Sequence, residues 1–167
     1  MDNSTGQNGG KRILIVDDET DITAVLKRGL EREGFQVDVY NDPHDALDSF
    51  KAPGKYELAL LDINMPDMNG FQLFRELRSR DEKLRVCFIT AFEIYYDEFR
   101  RVFPKIKVSC FVRKPVTISS LAETIRREIE SPLAKDQEYA EARVKKEASD
   151  PRQLALTPAG RMRIDSP

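Results

Sequence analysis

Between residues 12 and 130 the sequence alternates a short apolar run with a longer segment of helical spacing, and it does so five times. The runs are RILIV (12–16), QVDVY (36–40), ELALLD (57–62), LRVCFIT (84–90) and VSCFVRK (108–114). Their length and β-branched content suit strands. The first helical segment, 21–33, aligns Ile22, Val25, Leu26, Gly29 and Leu30, and Gly34 follows it as a helix-closing glycine. Asp42 and Pro43 open a second helix over 43–51, a cap followed by a residue that needs no N–H partner. Asn69 caps a third that runs to Arg80, EIYYDEFRRVF (93–103) is a fourth, and Thr117 to Glu130 a fifth. Strand–helix alternation at this spacing demands right-handed crossovers and a parallel sheet covered on both faces. Runs one, three and four hold continuous apolar stretches, ILIV, LALL and VCFI, as burial on both faces requires. The expected fold is therefore α/β, a doubly wound five-stranded parallel sheet of order 2-1-3-4-5 with helices on both faces.

The flanks read differently. Residues 1–10 are polar and Gly-rich, an expected disordered leader, and 11–130 hold the domain. The segment 131–167 opens with a helix-breaking Pro132, and 133–148 within it is polar around most of its circumference. Pairs Glu141–Lys145 and Arg143–Glu147, spaced four apart, support at most a partly helical or disordered extension. With no second core in sight, a stand-alone domain is expected.

A net charge of −2 gives no basic surface for nucleic acid, and none is expected as partner. Apolar runs such as ILIV and LALL are too short to cross a bilayer, and the N-terminus lacks a secretory pattern, so a cytoplasmic protein without membrane contact is expected. Cys87 and Cys110 lie in apolar runs without metal-ligand spacing, and they read as buried reduced thiols. His44 is the single histidine, which removes histidine-based nucleophile machinery unless His44 itself serves, and removes multi-histidine metal sites. Any chemistry must rest on carboxylates.

Ligands of open parallel sheets bind beyond the carboxyl ends of the strands. Here strand one ends on Asp17-Asp18, strand three on Asp62, strand four on Thr90, and strand five on Lys114-Pro115. In the expected order strands one and three are neighbours, so their acids converge on one edge. Carboxylates about 4 Å apart repel by roughly 4 kcal/mol at an effective dielectric of about 20. A hard, oxygen-seeking cation relieves that, and Mg²⁺ fits best. Lys114 offers a charge and Thr90 a hydroxyl to phosphate oxygens, with Asp62 as the nucleophile of a phosphoryl transfer.

VDDE (16–19), D-I-N-M-P-x-M-x-G (62–70), I-T-A (89–91) and F-V-R-K-P (111–115) together resemble the receiver domain of two-component response regulators, a flavodoxin-like fold. The resemblance covers about residues 11 to 130 and implies the following roles. Asp62 is the phosphoacceptor, served by a sensor histidine kinase or phosphotransfer protein. Asp18, Asp62 and the backbone carbonyl of Asn64 hold Mg²⁺, with Asp17 helping through water. Lys114 pairs with Asp62 and then with the phosphoryl group. Thr90 is the switch hydroxyl and Phe111 the rotating aromatic. Asn64 and Phe92, two positions after Asp62 and Thr90, flank the path of attacking water, and a bulky Phe92 is expected to prolong the acyl phosphate.

Output is expected through the face of the fourth helix, fifth strand and fifth helix, by contact with a downstream protein target. Tyr95, Tyr96, Phe99 and Phe103 are too many to face inward from one helix, so part of them is expected to form a homodimer or partner surface. A haloacid-dehalogenase-like phosphatase is one alternative, although its D-x-D-x-T/V motif follows the first strand, where this chain has D-D-E-T. A receiver used only as a binding module, without phosphorylation, is another. The favoured expectation is a phosphoacceptor signalling protein with at most self-catalysed phosphorylation and dephosphorylation, rather than a classical enzyme.

Overall fold

The computed structural model describes residues 9–91, 101 and 110–132. Its strands are β1 (Arg12–Val16), β2 (Gln36–Tyr40), β3 (Leu58–Asp62), β4 (Arg85–Thr90) and β5 (Cys110–Arg113). Its helices among the described residues are α1 (Thr20–Arg32), α2 (Pro43–Ser49), α3 (Gly70–Arg80) and α4 (Ile118–Glu130). The helix expected over 93–103, with its aromatic residues, falls outside the described residues apart from Arg101, as do Phe92, the first eight residues and 133–167.

The strands form one sheet of order β2-β1-β3-β4-β5, every pair parallel. Strand period two splits the core between two faces. Leu14, Val16, Ala59, Leu61, Val86 and Phe88 point to one side, where α2 and α3 cover them through Leu47, Phe71, Leu73 and Leu77. Ile13, Ile15, Leu58, Leu60, Cys87 and Ile89 point to the other, against Leu26, Leu30, Leu121 and Ile125 of α1 and α4. Each valine, leucine, isoleucine or phenylalanine among them contributes about 1.5–3 kcal/mol on leaving water. The central strand β3 is buried at all five positions, its last being a charge.

Helix ends follow the sequence closely. Asp42 and Thr117 accept bonds from backbone N–H groups of α2 and α4, and Asn69 forms a reciprocal capping box with Gln72 at α3. Gly34 takes φ 95°, a conformation that only a residue without Cβ adopts freely. Helix α2 stops at Ser49 rather than Lys51. Phe50 leaves helical geometry (φ −82°, ψ 82°) and buries its ring 5.8 Å from that of Tyr56.

One reading of the sequence is corrected. Cys87 and Cys110 are register partners on β4 and β5, with Cα atoms 4.4 Å apart, and they form a disulfide rather than two reduced thiols. Both point into the face covered by α1 and α4. Their pairing depends on the register of two strands separated by a long crossover, which residue patterns do not reveal.

Candidate functional site

Because all five strands run the same way, β1, β3, β4 and β5 deliver their last residues to one edge. The chain leaves β1 through Asp17, which is fully buried. Its N–H bonds the Tyr40 carbonyl at 3.2 Å, and its carbonyl accepts the Asn41 side-chain amide at 2.8 Å. Those bonds fix the loop backbone, and the Asp17 carboxylate accepts from the Glu19 N–H at 3.0 Å and from Lys114 Nζ at 2.7 Å. Asp18 follows and is exposed. Asp62 closes β3 with 4% exposure. One carboxylate oxygen from each of Asp17, Asp18 and Asp62 can be chosen such that all lie within 4.8 Å of one another.

The turn after Asp62 is built by its own residues. Met68 N–H bonds the Pro66 carbonyl at 2.7 Å, and Gly70 N–H bonds the Ile63 carbonyl at 2.9 Å. Asp67 takes φ 66°, which aspartate tolerates better than most side chains. A Cβ at Gly70 would collide with the carbonyl oxygen of Asp62, so the start of α3 presses directly on the acid's backbone. Ile63 and Met65 are buried and anchor the turn in the core, while Asn64 is exposed.

Lys114 supplies the positive charge. Its Nζ lies 2.7 Å from Asp17, 3.2 Å from Glu19 and 3.9 Å from Asp62. Lys114 N–H bonds the Thr90 carbonyl at 2.8 Å, holding the end of β5 against β4, and the Lys114–Pro115 peptide is cis. Burial alone lowers the ammonium's pKa, but the bond to Asp17 and the charges of Asp17 and Asp62 outweigh it, and the net shift is upward. Burial pushes the Asp62 carboxyl up, Asp17 and Asp18 push it further, and Lys114 only partly opposes them, so it reaches about 6. Carboxylates this close repel by about 3 kcal/mol per pair at an effective dielectric of about 20. One ammonium leaves the three acids short of neutral, and their oxygen-only donor set suits a small divalent cation.

The remaining expected residues divide. Thr90 is buried at the end of β4, one position beyond the register partner of Asp62. Phe111 is half-buried on β5 and packs its ring 5.6 Å from Phe88, so it belongs to the β4–β5 face rather than to the acid cluster. Phe92 lies outside the described residues. Sequence patterns pass over two contributors, Asn41 and Glu19. Asn41 ties the β1–α1 loop to β2 and to Thr23, and Glu19 reaches Lys114. Glu19 stood inside the quoted VDDE, but nothing local connects it to a lysine 95 positions on.

Residues 13–126 match the profile of the response regulator receiver domain. The chain belongs to the response regulator receiver family. Among its relatives, the transcriptional regulatory protein PcoR of Escherichia coli is 31% identical over 116 residues, 70% of this chain and 50% of PcoR. The uncharacterized transcriptional regulatory protein YkoG of Bacillus subtilis is 36% identical over 114 residues, 68% of this chain and 49% of YkoG. The receiver thus spans about half the length of these relatives. Among solved structures, a CheY-like receiver of Methanospirillum hungatei superposes with a TM-score of 0.63 at 26% identity, covering 83% of this chain and 98% of that one. The response regulator TrrA of Thermotoga maritima, solved in complex with Mg²⁺-BeF, gives a TM-score of 0.60 at 31% identity over 70% of this chain and 97% of its own. Receiver domains are signalling proteins rather than classical enzymes, working with histidine kinases or phosphotransfer proteins and with downstream targets. Among the described residues, no helix is long and apolar enough to cross a membrane.

Proposed function

We propose that this receiver accepts a phosphoryl group on Asp62 from a sensor histidine kinase or phosphotransfer protein, with Mg²⁺ held by Asp18, Asp62 and the backbone carbonyl of Asn64, and by Asp17 through water. The observation that carries this reading is the convergence of three carboxylates and one lysine at the ends of β1, β3 and β5. Mg²⁺ bound there would supply neutralisation of charge on the phosphoryl oxygens; the chain's own residues position the rest. Lys114 meets one oxygen as a cation and Thr90 meets another as a hydroxyl donor. Asp62, held rigid by Gly70 and the buried turn, is the attacking oxygen. The haloacid-dehalogenase reading loses its ground, since the matched family is that of receivers.

Phosphorylation then biases the face that contains β5 and α4, with Thr90 drawn toward the phosphoryl group and Phe111 turning inward from its contact with Phe88. Output by protein–protein contact, a homodimer through this face, a role of Phe92 in slowing hydrolysis and a cytoplasmic location belong to the same proposal. Stand-alone action does too. Against stand-alone action stands one observation: the relatives PcoR and YkoG are transcriptional regulatory proteins of about twice this span, which favours output through DNA as the second reading. An immunoblot of the native protein separates the two by its size.

The chemistry is tested by incubation with acetyl phosphate and Mg²⁺, followed by intact mass. Wild type gains one phosphoryl group, and Asp62→Asn gains none. An unlabelled wild type, or a labelled Asp62→Asn, overturns the assignment.

A further inference from the structure

We infer that Glu19 is a positioning residue that tethers Lys114 on the β1 side of the site and so restrains its approach to a phosphoryl group on Asp62; this rests on the reading of Asp62 as acceptor. Glu19 occupies the N-cap of α1 with extended backbone (φ −82°, ψ 98°), a position where a short polar side chain such as Asp, Asn, Ser or Thr ordinarily accepts a bond from the first turn. The caps of the other described helices, Asp42, Asn69 and Thr117, all do so. Glu19 does not; its side chain makes no cap bond, and Oε1 accepts from Lys114 Nζ at 3.2 Å instead. The longer glutamate at this cap position thus reaches across the site to the lysine.

The effect on Lys114 is read from its distances. An ammonium has three donors. Asp17 takes one at 2.7 Å and Glu19 one at 3.2 Å, while Asp62 at 3.9 Å lies beyond hydrogen-bond reach. Asp17 also belongs to the three-carboxylate cluster. Glu19 does not; its partly exposed side chain pairs with the lysine. In the transfer itself an Asp62 oxygen forms a bond to phosphorus as the bond from phosphorus to the donor's acyl oxygen breaks. Acetate leaves with the electron pair, and Lys114 keeps its proton. The lysine must therefore follow the phosphoryl oxygens, and Glu19 opposes that shift.

The test measures acetyl phosphate labelling rates by intact mass at saturating Mg²⁺. Glu19→Gln keeps the shape and removes the charge; Glu19→Asp keeps the charge and loses the reach. Both are expected to label about two- to fivefold faster than wild type, the scale of a partly exposed ion pair. In a Lys114→Met background, Glu19→Gln is expected to add nothing, whereas a merely structural or long-range charge effect persists there. Unchanged or slower labelling by Glu19→Gln overturns the inference. So does a Glu19→Asp that matches wild type, or a gain that survives Lys114→Met. Wild type that takes no label at all overturns the acceptor reading beneath it.

Discussion

Asp62 carries a cost that the fold tolerates for its position. Its carboxyl, ordinarily at 3.8, sits at about 6 because burial and the neighbouring acids disfavour the anion. A carboxyl whose folded pKa exceeds its unfolded value stabilises the fold fully below about pH 4, and that contribution is lost as pH rises through about 6. At pH 7.5 the metal-free protein therefore holds a destabilising charge. Asp62→Asn removes it. In urea unfolding without divalent metal at pH 7.5, the variant is expected to exceed wild type by roughly 1–3 kcal/mol, with the gap closing near pH 4. Equal stabilities at pH 7.5 would contradict the strained-anion account. At this scale the acids were legible as strand endings, since a charge that terminates an apolar run asks for a reason. Of the partners of Lys114 only Asp62 was expected; Asp17 and Glu19 were not, because ion pairs over 95 and 97 positions follow from the strand order of the folded sheet alone.

At the level of elements, local signals and register divide what a sequence reader can see. Asn69 with Gln72, Asp42 before Pro43 and Thr117 each announce a helix start within four residues, and each makes the expected bond. The end of α2 was overestimated because the pull on Phe50 comes from Tyr56 in the next element. The Cys87–Cys110 bridge is the extreme case: two apolar runs contain the cysteines, but only the β4–β5 register aligns them. Closing a loop with a separation of 23 is worth about 3 kcal/mol in the chain-entropy picture. Reduction is therefore expected to lower the unfolding midpoint in urea, and Cys110→Ala is expected to be insensitive to reductant. Alkylation under denaturing, non-reducing conditions should leave both cysteines of wild type unmodified; modification of both would remove the bridge from the account.

For the whole molecule, the alternation of five runs was enough to give the sheet order, because parallel strands and right-handed crossovers leave few arrangements. The same arrangement directs strand ends from distant parts of the chain to one edge and concentrates negative charge there. A cation that binds this edge in the folded state alone stabilises the entire fold, by about 2.7 kcal/mol at a concentration 100 times its dissociation constant. For a domain of this size that is a rise in unfolding midpoint on the order of 5–15 °C. Asp18 isolates the effect, since it is the exposed member of the cluster and contributes no core contact. Asp18→Ala is expected to keep or slightly raise the metal-free midpoint, by easing repulsion, while losing most of the rise that Mg²⁺ produces. Differential scanning calorimetry with and without Mg²⁺ measures both. A variant that keeps the full Mg²⁺ response places the ion elsewhere, and the edge of the sheet then has no claim to it.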